Sequence, residues 1–279
     1  MPMSSVNTSA FKLTGTGSLD FVRSGSRTVV ARSVAHSPLK LLNPQNHGRA
    51  AWVFSSSYGG GLLGGDRLAI DVNVSVGAAA MLSTQSSTKV YRSELPAAQE
   101  LHAMVEDQGL LVLAPDPVVC FADSEYTQRQ TIHLMGSGGL VLVDWLSAGR
   151  QAYGERWAFR RFASRTDVIQ NGKKILHDAL QLDPENGSIA GQLGRFNILA
   201  TAIVCGPVLL DSAKAMVDEI NREPLGRNMD LVQSAGLFQN AGAILRIAGT
   251  SVEQTGRLLR QRLSFVCACL GEDPWARKW

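Results

Sequence analysis

The sequence predicts a mostly β protein with two α-helices toward the C-terminus. Short apolar runs recur at intervals of about ten residues, separated by turn residues, which is the spacing of an all-β architecture. Several of these runs alternate apolar and polar side chains, and helical periodicity is confined to the last third of the chain. Parallel βαβ units would need crossover helices, and the first 200 residues offer no room for them.

The clearest strand is LAIDVNV (68–74), where Leu68, Ile70, Val72 and Val74 fall at strict period two and so share one buried face. RTVVARSV (27–34) precedes it. AAAMLST (78–84), TKVYR (88–92), QELHAMV (99–105), LLVLAP (110–115), TQRQTIHL (127–134) and GLVLVDWL (139–146) follow. GERWAFRRFA (154–163), RTDVIQ (165–170) and KILHDALQL (174–182) continue the series. Asn171-Gly172 between the last two predicts a tight hairpin, since both residues tolerate the positive φ such a turn demands.

A first helix is expected over 211–223, with Met216, Val217 and Ile220 on one face, Asp211 or Ser212 as its cap, and Pro224 at its end. A second over 251–271 aligns Leu259, Leu263, Val266 and Leu270, with Gly271 as its stop. DLVQSAG (230–236) and AGAILRIAG (241–249) read as two more strands between them. Residues 1–20, rich in Ser and Thr, read as a flexible extension, and 21–279 as a single domain.

Composition excludes several function classes. Hydrophobic residues are 45% and charged residues 18% of the 279, a globular profile, and a net charge of +3 argues for neither nucleic acid nor a membrane surface. No stretch approaches the roughly 18 apolar residues that span a bilayer, and no secretory signal is evident. Cys120, Cys205, Cys267 and Cys269 form no CxxC and are expected to be free thiols in a reducing cytoplasm.

SSSYGGGLLGGD (55–66) raises the question of phosphate binding, because Gly59, Gly61 and Gly64 spell GxGxxG. A dinucleotide fingerprint opens a helix at its last glycine, whereas here Asp66 to Val74 continue as a strand. A P-loop needs Gly-Lys-Ser/Thr, and this chain has Gly65-Asp66-Arg67. The histidines are scattered without HExxH, and there is no GxSxG. What remains are polar residues among apolar segments: Asp66, Thr88, Asp144 and Asp178. A buried carboxylate is costly unless hydrogen-bonded, paired or bound to a cation. Either these groups brace turns and pair with Arg67, Lys89, Arg92 or Arg150, or they line a polar channel for a cation.

SYGGGLLGGDRLAIDVNVSVGAAAMLSTQSSTKVYRS resembles the signature of the urease accessory protein UreD (UreH) family, which runs approximately GGGxxGGDxL and then TTQxSTKxYRS. VLVDWLSAGRQAYGERWAF is similar to the family's DxLxxGRxARGExW block, and FADSEYTQ, ALQLDP and the terminal DPWARKW also fit. Ser83 stands where the family often has Thr, Tyr153 where it has Arg, and Asp178 where some members carry Glu. The resemblance implies a β-helix-like stack of short strands with two helices. It implies a cytoplasmic chaperone rather than an enzyme, one that binds apo-urease and UreF and, through UreF, the GTPase UreG. It also implies nickel as transient cargo, with no tightly bound cofactor, carried through an internal tunnel along which Asp66, Thr88, Asp144 and Asp178 are the candidate residues. Gly59, Gly60, Gly61, Gly64, Gly65, Lys89, Tyr91, Arg92, Gly149, Arg150, Gly154 and Glu155 are then structural motif residues. The reading that competes with it is an all-β enzyme or small-ligand-binding protein unrelated to urease.

The glycine loop is expected to bind neither ATP nor GTP. Saturable nucleotide binding by the purified chain that disappears in Gly61→Ala would overturn this.

Overall fold

Successive strands of this chain pass back and forth between two sheets, so parallel neighbours are joined without helices. The computed structural model describes residues 13–45, 48–224, 226 and 228–276. In chain order the strands begin with β1 (Gly15–Ser24), β2 (Arg27–Ala35), β3 (Leu39–Leu42), β4 (Ala51–Ser57), β5 (Arg67–Val74) and β6 (Ala79–Thr84). Next come β7 (Thr88–Val90), β8 (Ala97–Val105), β9 (Leu110–Leu113), β10 (Val118–Cys120), β11 (Glu125–Leu134) and β12 (Gly139–Ser147). The last are β13 (Arg161–Gln170), β14 (Lys173–Leu182), β15 (Ile198–Cys205), β16 (Leu231–Phe238) and β17 (Gly242–Gly249).

One sheet is seven-stranded, in the order β14-β13-β11-β8-β5-β1-β2, and β1, β5, β8, β11 and β13 run parallel within it. The other has ten strands along β16-β17-β15-β12-β9-β6-β4-β3, with β10 paired to β12 and β7 paired to β10. In it β4, β6, β9 and β12 are parallel. The crossover that a parallel pair requires is thus supplied by a strand of the opposite sheet. The lack of room for helices rules out βαβ units and leaves parallel pairing open. This is the β-helix-like stack expected from the family resemblance.

The two faces of the sheets have different fates. Leu19, Phe21, Val72, Leu111, Ile132, Leu142 and Val168 fill the space between the sheets. The outer face of the ten-stranded sheet is covered as well: Trp52, Met81, Val112, Val143 and Leu245 pack against helical residues. GLVLVDWLS in β12 is therefore almost continuously apolar, while β5, with its outer side chains Asp71 and Asn73 exposed, alternates.

The helices are α1 (Ile189–Leu193), α2 (Leu210–Asn221), α3 (Val252–Arg262) and α4 (Phe265–Leu270). Met216, Val217 and Ile220 are buried on α2 as the periodicity predicts. Neither Asp211 nor Ser212 caps it: the helix begins a residue earlier, continuing from the turn at Pro207 with Leu209 in the cap position. The helix expected over 251–271 is two helices, because the chain turns at Leu263 and Ser264; Leu259, Leu263, Val266 and Leu270 all still face the core. The segment 154–160, expected as strand, is not one. Trp157 has φ +54° and donates its backbone N–H to Ala148 O and its indole N–H to Phe196 O, which pulls the segment into a loop that buries its ring.

Two other boundaries differ or agree for local reasons. The expected extension over residues 1–20 overlaps β1, where Leu19 is fully buried, and residues 1–12 lie outside the described residues. The hairpin at Asn171-Gly172 forms as predicted, with φ values of 48° and 82° joining β13 to β14.

One buried cation fastens the helices together. Arg262, its side chain 1% exposed, is held by the carboxylates of Glu219 and Glu223 on and after α2 and by Gln233 Oε1 of β16 at 3.2 Å. Replacing Arg262 by Ala removes these charge-assisted bonds and empties the space of its stem. The variant is expected to lose about 2 kcal/mol of stability, read as a lower urea midpoint, whereas Arg260→Ala is expected to lose less.

Candidate functional site

The glycine turn is built from two different uses of glycine. Gly59, Gly60 and Gly65 take φ of 81°, 71° and 88°, values that side chains resist. Gly61 is extended, but a Cβ there would meet the Tyr91 ring at 2.6 Å and Lys89 O at 2.7 Å. A Cβ on Gly64 would collide with Ser93. The close approach lets Leu62 N–H donate to Lys89 O and Tyr91 N–H to Leu62 O, so the TKVYRS segment docks against the turn. A strand, β5, and not a helix, follows the loop.

The second motif is tied to the first through aromatic rings. Tyr91 donates its hydroxyl to Gly59 O (3.2 Å) and meets Phe121 edge-on at 5.3 Å. Arg150 lies 4.1 Å over Phe121 and 5.0 Å from the ring of Tyr153. Arg150 also pairs with Glu155, whose Oε2 accepts the Ala122 N–H. Hydrogen bonding from Arg150 holds the Glu155 carboxyl below its ordinary range. Tyr153 makes a cation–π contact with Arg150, in keeping with its lack of an ion-pair role. Gly149 and Gly154, with φ of 103° and 75°, shape this loop, and Arg92 pairs with Asp123 at 3.3 Å.

Between the sheets lies a cavity of about 90 Å³ with a mainly apolar lining and a set of polar side chains in its wall. Leu68, Ile70, Leu82 and Leu113 form apolar walls, and Thr84, Thr88, Gln99, Gln128, Asp116 and Asp144 project into it. A second cavity of about 40 Å³ reaches Gly60 and Gly61 of the glycine turn. Ser55, Leu68, Thr84, Thr88 and Gln99 line both, so the two cavities share a wall. One water needs on the order of 10–15 Å³ of such space, which gives the larger cavity room for several.

Asp116, 8% exposed, and Asp144 are both acidic groups of this wall, and burial shifts the titration of Asp144. It occupies an inward position of β12 between Leu142 and Leu146, and the surface it retains faces the cavity. Ser164 of β13 donates to Asp144 Oδ2 at 2.6 Å across the sandwich. Burial pushes its pKa up, hydrogen bonds from Ser164 and Gln128 oppose the rise, and the charge of Asp178 adds to it. Tyr126, fully buried, donates its hydroxyl to Gln99 Oε1 at 2.6 Å, completing a polar band on the opposite wall.

The four candidate passage residues are not equivalent in place. Thr88 and Asp144 line the cavities. Asp66 does not: its Oδ2 accepts the Leu63 N–H at 2.8 Å and closes the glycine turn. Asp178 does not line them either; it pairs with Arg246 of β17, so the partner is none of Arg67, Lys89, Arg92 or Arg150. Sequence reasoning passed over Gln99, Tyr126, Gln128 and Ser164. The signal for the β11 pair was present, because Tyr126, Gln128 and Gln130 continue the inward face of Ile132 and Leu134.

No group of three His, Cys, Asp or Glu side chains among the described residues is placed to hold a metal ion. Cys120 and Cys205 are buried free thiols whose pKa burial raises to about 12. No helix among the described residues is long and apolar enough to cross a membrane.

Two stacked sheets enclosing a cavity, with helices covering one outer face, define a β-solenoid scaffold. A family model described as UreD urease accessory protein matches residues 13–279. The chain belongs to that family. It is 52% identical over 265 residues to urease accessory protein UreD of Sorangium cellulosum, covering 95% of this chain and 84% of the relative. It is 41% identical to urease accessory protein UreD of Anaeromyxobacter sp. (94% and 89% covered). Urease accessory protein D of Arabidopsis thaliana is 30% identical (94% and 99% covered).

The raised pKa of Asp144 has a definite sign. The folded chain holds the proton more tightly than the unfolded chain, so this group's favourable contribution is full below the unfolded pKa. It is lost as pH rises through the folded value. Asp144→Asn is therefore expected to raise the melting temperature at pH 8, with the difference vanishing below about pH 4, where the unfolded carboxyl is protonated. A variant less stable than wild type at pH 8 would contradict it.

Proposed function

We propose that this chain is a non-catalytic urease maturation factor of the cytoplasm. It binds apo-urease and UreF, meets the GTPase UreG through UreF, and gives nickel a path toward the urease active site. Family membership supports the urease connection. The observation that supports the path is Asp144: a carboxylate kept inside the sheet sandwich, on the wall of a cavity that shares Ser55, Thr84, Thr88 and Gln99 with the smaller cavity at the glycine turn.

The chemistry of the lining suits a cargo that must leave again. Hydroxyl, amide and carboxylate oxygens replace hydration water loosely, whereas a thiolate or imidazole cage would retain a borderline cation such as nickel. Neither cavity has a Cys or His among its described lining residues. A divalent ion entering a low-dielectric space needs compensating negative charge, and Asp144 supplies it where water cannot. Asp66 acts at one remove, holding the turn at the mouth of the smaller cavity. Asp178 is neutralised by Arg246 at the sheet edge.

Asp144→Asn tests the path. With tagged apo-urease and UreF, the variant is expected to be pulled down as well as wild type, while the matured urease holds about tenfold less nickel, equivalent to about 1.4 kcal/mol. Full nickel content in Asp144→Asn would reject the path. Loss of the complex would assign Asp144 to the fold instead.

A further inference from the structure

A third cavity, of about 200 Å³ and mainly polar, lies at the other end of β5 from the glycine turn. Arg23 at the end of β1, Arg27 at the start of β2 and Arg49 just before β4 line it, together with Thr28, Gly77 and Gln108. No acidic side chain among the described residues lines it. Three guanidinium groups around one space repel one another, and a group of this kind is stabilised by an anion between them.

Two of the arginines, Arg23 and Arg49, are positioned by hydrogen bonds. Arg23 donates its Nε–H to Gly25 O at 3.1 Å, and Arg49 donates its own to Cys269 O at 2.6 Å. Each is thereby anchored through one nitrogen and keeps its terminal N–H groups for a ligand. Gly77 admits Arg23, since a Cβ at that position would lie 2.9 Å from Nη1. At the base is Thr28, only 7% exposed; its Oγ1 accepts the Ala79 N–H at 2.8 Å, which leaves the hydroxyl proton free to be donated.

The neighbouring carboxylates are engaged elsewhere. Glu106 accepts the Val76 N–H at 3.0 Å, Asp107 accepts from the Ser137 backbone and hydroxyl at 2.8 Å, and Glu272 accepts the Gly48 N–H at 3.1 Å. The apolar lining consists of Ala78, Ala79 and Leu110, which offers no slot for a flat ring. What fits is a small, multiply charged oxyanion, whose oxygens match the planar donor forks of arginine.

We propose that this cavity is an oxyanion site for orthophosphate or for the phosphate group of a larger ligand. Occupation ties the β1–β2 turn to the β5–β6 turn and to Arg49, and through Cys269 O to α4. A ligand that binds only the folded chain in this way raises its stability.

The test is calorimetric titration of the full chain with sodium phosphate in a chloride buffer of low ionic strength, together with thermal denaturation at each phosphate concentration. Saturable binding and a melting temperature that climbs with phosphate are expected. Arg23→Gln and Arg27→Gln should each weaken binding about tenfold, given the strength of charge-assisted pairs. Thr28→Val should weaken it less, and Lys40→Gln, outside the cavity, not at all. Unchanged urea midpoints without phosphate show that the variants fold. ADP is the second ligand: tighter binding than orthophosphate assigns the site to the phosphate of a larger ligand, and weaker binding assigns it to the free ion. Absence of saturable binding up to about 10 mM phosphate, a range that covers even millimolar affinities, would overturn the proposal. So would affinity unchanged in the Arg23→Gln, Arg27→Gln double variant.

Discussion

Parallel strands joined by short connections can pair only if each connection crosses to another sheet, and this constraint shapes the whole molecule. It forces a two-sheet stack whose interior is walled by every second residue of each strand. A polar residue at an inward position must find its partner on a neighbouring strand, as Tyr126 does with Gln99, or across the sandwich. The bond from Ser164 to Asp144 is that partnership in its most demanding form, linking β13 of one sheet to β12 of the other. The band formed by Thr84, Gln99, Tyr126 and Gln128 surrounds the same polar space.

The two sequence motifs serve this interior from outside. Glycine at 61 and 64 lets the segment after β6 lie directly on the glycine turn, and the turn's own geometry is closed by Asp66. Arg150 and Glu155 hold the second loop against Phe121 and thence against Tyr91. The motif residues therefore brace the turn beside the smaller cavity, while the polar residues that line the larger cavity include side chains on strands, Gln99, Gln128 and Asp144. The helices do something separate: they cover the outer face of the ten-stranded sheet and are pinned by Arg262.

Much of the fold was legible in local pattern. Period-two alternation identified β5, Asn171-Gly172 identified a hairpin, and the apolar face of α2 was correct to the residue. The reach of local pattern ended where tertiary contacts decide. Trp157 converts an expected strand into a loop because its indole is bonded to Phe196 O, 39 positions away. Asp144 stood out as a carboxylate in an apolar run, yet Ser164 did not, because its partner is fixed by which strands stack and not by spacing. Asp178 likewise finds Arg246, 68 residues on, instead of an arginine in the motifs. Asp66 acts within three residues of its own position, the one candidate whose role is local.

The central claim is the proposed path for the cargo through the two cavities between the sheets. Thr88, one of the five residues that line both, is a place to close it. The most direct measurement is the nickel content of urease matured with Thr88→Phe, alongside recovery of the complex with apo-urease and UreF. The account predicts a complex recovered in full and a urease depleted of nickel. Normal nickel content with the ring filling that space would contradict it.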